Sequence, residues 1–202
     1  MIIPARQRLS IYGPRIAATA LLALLSACQT PSATGPSLSA APGNVARIER
    51  STGFSFPPRV GVFIREGSTQ YDAAGRDVSV KYRAGRMIVG DVYVYPSGGR
   101  AAEAELDSRW SREIKPLHAD ARLLSRGAVA IRPSGSPKRG MRATFAFSEN
   151  FRPDIPGPYK GQVLIFRQGD RFVKYRFSYT RSTAARAEQE IDAFLSALRW
   201  PD

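Results

Sequence analysis

The sequence predicts an α+β domain in which two main helices pack on an antiparallel sheet. Runs of alternating apolar and polar residues, the mark of half-buried strands, recur between residues 60 and 180. Two windows, Arg100 to Lys115 and Thr183 to Leu198, switch to the spacing of an amphipathic helix. Gly169-Asp170 separates two long apolar runs with a dipeptide suited to a hairpin turn.

In chain order, Phe54-Ser55-Phe56-Pro57-Pro58 opens the domain with two rings to bury and a proline pair that no helix interior tolerates. Val60 to Ile64 is a β-branched apolar run and reads as a strand. Asp77 to Arg83 alternates with Val78, Val80 and Tyr82 on one face, and Met87 to Tyr95 is a third strand closed by Pro96 and Gly98-Gly99. These read as antiparallel neighbours in a meander. The first helix carries Leu106, Trp110, Ile114 and Leu117 on one stripe, pairs Glu105 with Arg109 four residues on, and ends at Pro116. Strands resume at Gly127 to Arg132 and Arg139 to Ser148, where Met141, Ala143, Phe145 and Phe147 share a face. Lys160 to Gln168 and Arg171 to Thr180 then form the hairpin. Pairing Gln168 with Arg171 sets Phe166 opposite Val173 and Leu164 opposite Tyr175, and leaves Arg167, Lys174 and Arg176 on the other face with Val163, Ile165 and Phe172. The last helix buries Ala187, Ile191, Phe194, Leu195 and Leu198, and Trp200 closes the chain.

Ahead of this domain, Arg6, Arg8 and Arg15 precede an apolar run from Ile16 to Leu25 and small residues at Ser26 and Ala27, the three parts of an export signal. The run is about half the roughly 20 residues needed to span a bilayer. Leu25-Ser26-Ala27-Cys28 resembles the lipobox of bacterial lipoproteins. That resemblance implies that Cys28 takes a diacylglycerol, that the leader is cut before it, and that the protein is held to a membrane by its acyl chains. Gln29 follows, where an Asp tends to retain such proteins in the inner membrane, so the resemblance points to the outer membrane and a periplasm-facing domain. Cys28 is the single Cys, which rules out an internal disulfide. The stretch QTPSATGPSLSAAPGN, Gln29 to Asn44, is uncharged and rich in Pro, Ser, Ala and Gly, the composition of a tether that cannot fold alone. The expected organisation is therefore a leader over 1–27, a lipidated Cys28 with its tether over 28–44, and one globular domain over 45–202.

The chain carries 30 Lys plus Arg against 17 Asp plus Glu, a net charge of +13. Removing the three leader arginines lowers that to +10. No nucleic-acid-binding signature accompanies the charge, and nucleic acid is not an expected partner outside the cytoplasm. Anionic lipid, lipopolysaccharide and acidic polysaccharide are the polyanions of an envelope. Arg167, Lys174 and Arg176 are the candidate contact cluster. The other reading is a solvated basic surface, which an Arg-rich composition also produces.

Residues for chemistry are few. His118 is the single His, so a His-based metal cluster is excluded. Ser134-Gly135-Ser136 lacks the strand-turn-helix context of a nucleophile elbow. Gly135-Ser136-Pro137-Lys138-Arg139-Gly140 lacks the Gly-Lys-Ser/Thr ending of a nucleotide cradle. Asp72, Asp77 and Asp91 have no calcium-loop spacing, and nothing calls for a metal or cofactor. The order of an aromatic-Pro opening, a meander, a helix, a second meander and a terminal helix resembles the PsbP-like α/β/α fold, carried by Phe54-Ser55-Phe56-Pro57 and Ile191-Asp192-Ala193-Phe194-Leu195. That resemblance implies a noncatalytic binding or assembly factor, here for an anionic envelope component or a partner protein. The alternative is an envelope hydrolase that uses His118 with a Ser or Asp from another loop.

Overall fold

The computed structural model describes residues 42–133, 137–148, 155 and 157–201. The leader, Cys28 and the tether through residue 41 lie outside the described residues, as do Ser134-Gly135-Ser136.

Among the described residues, eight antiparallel strands form one sheet in the order β1-β2-β3-β4-β8-β7-β6-β5. They are β1 (Arg59–Val60), β2 (Phe63–Gln70), β3 (Val78–Ala84), β4 (Ile88–Pro96), β5 (Arg122–Ile131), β6 (Lys138–Phe147), β7 (Tyr159–Gln168) and β8 (Arg171–Thr180). The sheet is thus two meanders, β1 to β4 and β5 to β8, joined where β4 pairs with β8. Helix α1 (Pro42–Thr52) leads into β1. Helix α2 (Ala102–Arg109) follows β4 and runs on through a π-helical turn, Trp110–Ile114, into a last turn α3 (Lys115–Leu117). A 3-10 turn, Arg181–Thr183, leads from β8 into α4 (Ala184–Ala197). The class expected from the sequence, α+β with an antiparallel sheet, is the class observed.

Both faces of the central strands are buried, because the helices divide between them. Ile48 of α1 and Ile191, Phe194 and Leu195 of α4 join one cluster with Phe63, Tyr82, Tyr175 and Phe177 of the sheet. Leu106 of α2 and Ile114 join the other with Phe145, Phe147, Val163, Ile165 and Phe172. The hairpin register is the expected one: Gln168 faces Arg171, Phe166 faces Val173 and Leu164 faces Tyr175, with Gly169 at φ 59°. Where an aromatic ring lies across a strand glycine, the glycine is required. A Cβ on Gly161 would sit 2.3 Å from the Phe145 ring directly opposite, and one on Gly90 would sit 2.6 Å from Phe177.

Four expectations are corrected. Val60 to Ile64 is not one strand but a tight hairpin: Gly61 adopts φ 56° and brings Val60 opposite Phe63, so that both bury. The strand expected from Gly127 begins at Arg122; as an edge strand it is exposed on both faces over most of its length, which erases the alternation that would announce it. The tether does not reach Asn44, because Pro42 opens α1, a helix that buries Val45, Ile48 and Thr52 and is stopped by Gly53 at φ 74°. Leu117 leaves the buried stripe and stands 55% exposed, since the wider π turn adds a residue and rotates the helix beyond it, while Pro116 is accommodated in the first turn of α3.

Phe194 of α4 touches Phe63 at 4.8 Å, Tyr82 at 5.0 Å and Phe177 at 5.8 Å between ring centroids, and so ties three strands to the helix. Phe194→Ala should lower unfolding free energy by about 3–5 kcal/mol in a denaturant titration. A loss below about 1 kcal/mol would show that the helix does not close this core.

Candidate functional site

The alternation of β8 sends Phe172, Lys174 and Arg176 to the face covered by α2, where β4 contributes Asp91, Tyr93 and Tyr95. Lys174 is 3% exposed, and a charge at that depth requires a partner. Glu113, in the π turn, supplies it. One carboxylate oxygen accepts from Lys174 Nζ at 2.7 Å and the other from Arg176 Nη1 at 3.0 Å. Arg176 Nη2 also donates to Asp91 at 3.2 Å. The Tyr93 ring lies under both cations, 3.9 Å from Lys174 Nζ and 6.0 Å from the Arg176 guanidinium.

Two turns earlier in the same helix Glu105 is fully buried and forms a second knot. Its carboxylate accepts from Tyr95 Oη at 2.8 Å and Arg109 Nε at 2.7 Å, and pairs with Arg100 Nη1 at 2.7 Å. Arg109 also lies over the Tyr95 ring at 4.9 Å and reaches Glu113 at 3.7 Å, which links the two knots. The i, i+4 ladder of Glu105, Arg109 and Glu113 is what docks the helix on a polar part of the sheet.

Burial alone would raise the Glu113 carboxyl, but the Lys174 ammonium, with Arg176 and Arg109, outweighs it and holds the group below the usual carboxylate range. Burial pulls Lys174 down, and the Glu113 charge offsets this only in part. Burial pushes the Tyr93 and Tyr95 phenols up, so both stay protonated donors. Burial and the neighbouring Asp72 charge raise Asp77. Between these groups opens a cleft of about 310 Å³, lined by Tyr71, Asp77, Tyr93, Tyr95, Arg109, Glu113 and Lys174. It offers fixed charges of both signs among phenol rings, an arrangement that can orient a polar or zwitterionic group. A metal ion bound through Glu113 would first have to displace its cations.

Of the expected cluster, the structure brings together Lys174 and Arg176 and leaves Arg167 aside. Arg167 is exposed at the hairpin end, where its Nε donates to the Gly169 carbonyl at 3.1 Å. The open basic patch expected on this face is corrected to a covered one, because the helix brings Glu113 over it. Sequence reasoning missed Glu113 and Asp91 as partners of these cations. The Glu105–Arg109 spacing is visible in the sequence and Glu113 continues it by four, so the ladder itself is a usable signal. His118 is half-buried beyond α3, and its ring stacks on Phe147 at 4.0 Å. Asp72 serves the β2–β3 turn by accepting from the Arg76 and Asp77 amides, and Asp91 belongs to the Arg176 pair. Among the described residues no group of three His, Cys, Asp or Glu side chains could hold a metal ion. No family model matches the chain, and no curated protein is similar to it.

Glu113→Gln should destabilise the protein by about 3 kcal/mol by leaving Lys174 buried without a counter-charge, and adding Lys174→Met should recover most of that loss. The lowered Glu113 pKa fixes the sign with pH. Its stabilisation is fully present above about pH 4.5 and lost as pH falls through the lower folded value. Denaturant midpoints measured across the acid range should therefore converge for the wild type and Glu113→Gln. A constant gap down to the lowest pH would contradict the pairing.

Proposed function

We propose that the protein is a noncatalytic lipoprotein of the cell envelope, anchored through Cys28, facing the periplasm from the outer membrane, and binding an anionic envelope component through the rim of its sheet. The anchor is supported by the lipobox Leu25-Ser26-Ala27-Cys28 behind a basic and apolar leader. The placement of helices against both faces of an antiparallel sheet supports a PsbP-like α/β/α arrangement, a fold used largely for binding and assembly.

One observation carries the binding reading: the basic residues divide into neutralised and bare sets. On the covered face Lys174 and Arg176 are held by Glu113 and Asp91. On the surface Arg122, Arg139 and Arg181 are exposed and make no ion pair among the described residues. An anionic partner therefore meets the rim, where these unpaired arginines stand exposed.

Replacing the anchor thiol separates attachment from binding. Cells producing Cys28→Ser should lose carbonate-resistant membrane sedimentation of the protein. The same variant, purified, should bind phosphatidylglycerol vesicles but not phosphatidylcholine vesicles, and more weakly as ionic strength rises from about 0.01 M to about 0.15 M. Unchanged sedimentation would contradict the anchor. Equal binding to both vesicles, or none to either, would contradict the anionic partner.

A further inference from the structure

We propose that a hollow on the α4 side of strands β5 to β7 is a binding site for the phosphate of an anionic lipid, with the first acyl carbons resting on Leu123 and Leu124. The inference rests on the envelope reading above and deepens it to one site and one ligand class.

The site follows from the register of the second meander. Arg122, Ala146, Lys160 and Tyr179 face one another across β5, β6, β7 and β8 and form a single row over the sheet. In that row Ala146 has only a methyl group, so a gap remains between the two long cationic side chains beside it. Arg181, in the turn that leads into α4, closes the third side, and the resulting hollow has a volume of about 520 Å³. The volume suits a headgroup phosphate with its glycerol. Three cations border it, and Glu188 accepts from one of them, Lys160 Nζ, at 2.7 Å. Arg122 and Arg181 make no ion pair among the described residues, which leaves two guanidinium forks for phosphate oxygens.

The apolar half of the site is built by a bulge. The pairing of β5 with β6 shifts register between Leu123 and Ser125, so Leu124 is an extra residue turned out of the ladder. Leu123 and Leu124 are 47% and 54% exposed, two adjacent leucines bordering the same hollow as the bare arginines. Free phosphate has no use for them, whereas a lipid presents an anion and a hydrocarbon chain within the same few ångströms. β5 is also the outermost strand, so the hollow lies at a sheet edge that a flat lipid surface can reach.

The test uses the purified full chain in a neutral detergent, titrated calorimetrically with dihexanoyl phosphatidylglycerol, dihexanoyl phosphatidylcholine and inorganic phosphate. Phosphatidylglycerol should bind saturably and tightest. Arg122→Glu with Arg181→Glu should weaken it by about tenfold or more; both side chains are exposed, so the fold should survive. Leu124→Ser should weaken the lipid and leave inorganic phosphate unchanged. Inorganic phosphate binding as tightly as the lipid, with no effect of Leu124→Ser, would overturn the lipid assignment in favour of a free-phosphate site. Unchanged lipid affinity in the double arginine variant would overturn the site altogether. If that variant still binds phosphatidylglycerol vesicles with salt dependence, the general reading survives and only this location fails.

Discussion

Glu113 is the acid on which the covered face depends. A helix laid over β8 meets two cations, one of them almost without access to solvent, and removing charges from water costs several kcal/mol per ion unless they are paired in good geometry. A single carboxylate meets both demands by giving one oxygen to Lys174 and the other to Arg176. It reaches them from the π turn Trp110–Ile114. The ladder from Glu105 through Arg109 to Glu113 then makes the helix a polar clamp at this end, beside the apolar contacts of Leu106 and Ile114.

The consequence for binding follows from where acids remain. Glu105, Glu113 and Asp91 are engaged inside the fold, and Glu103 and Asp107 hold Arg126 at the edge of α2. The charge left bare is mostly cationic and peripheral, although acids such as Glu190 and Asp192 also stand there without an ion pair among the described residues. The covered acids are matched by Lys174, Arg176, Arg109 and Arg100, so the positive charge that steers a long-range encounter lies at the periphery. The proposed anion contact is therefore assigned to the rim rather than to the hairpin face.

Much of the fold is legible in the sequence because it is built from regular periods. The hairpin over Gly169-Asp170, the face shared by Met141, Ala143, Phe145 and Phe147, and the buried set of α4 are each fixed by alternation or helical spacing, and each is found in place. The failures are equally physical. β5 lacks a buried face to announce it, α1 carries too few apolar residues to show a stripe, and the turn at Gly61-Val62 depends on one positive φ inside an otherwise continuous apolar run. At the site, the placement of Lys174 and Arg176 on one face is legible from register, but their partners are not. Glu113 and Asp91 come from segments 61 and 85 residues away in sequence, and no local pattern reports which helix covers a sheet face.

The central claim is that the basic residues fall into a paired, covered set and a bare, accessible set. Modification of the native protein by phenylglyoxal, with sites and rates read by peptide mass spectrometry, measures that division directly. Arg122 and Arg181 should react quickly and Arg176 should be protected until the protein unfolds. Reaction of Arg176 at the same rate as Arg122 and Arg181 in the folded protein would contradict the account.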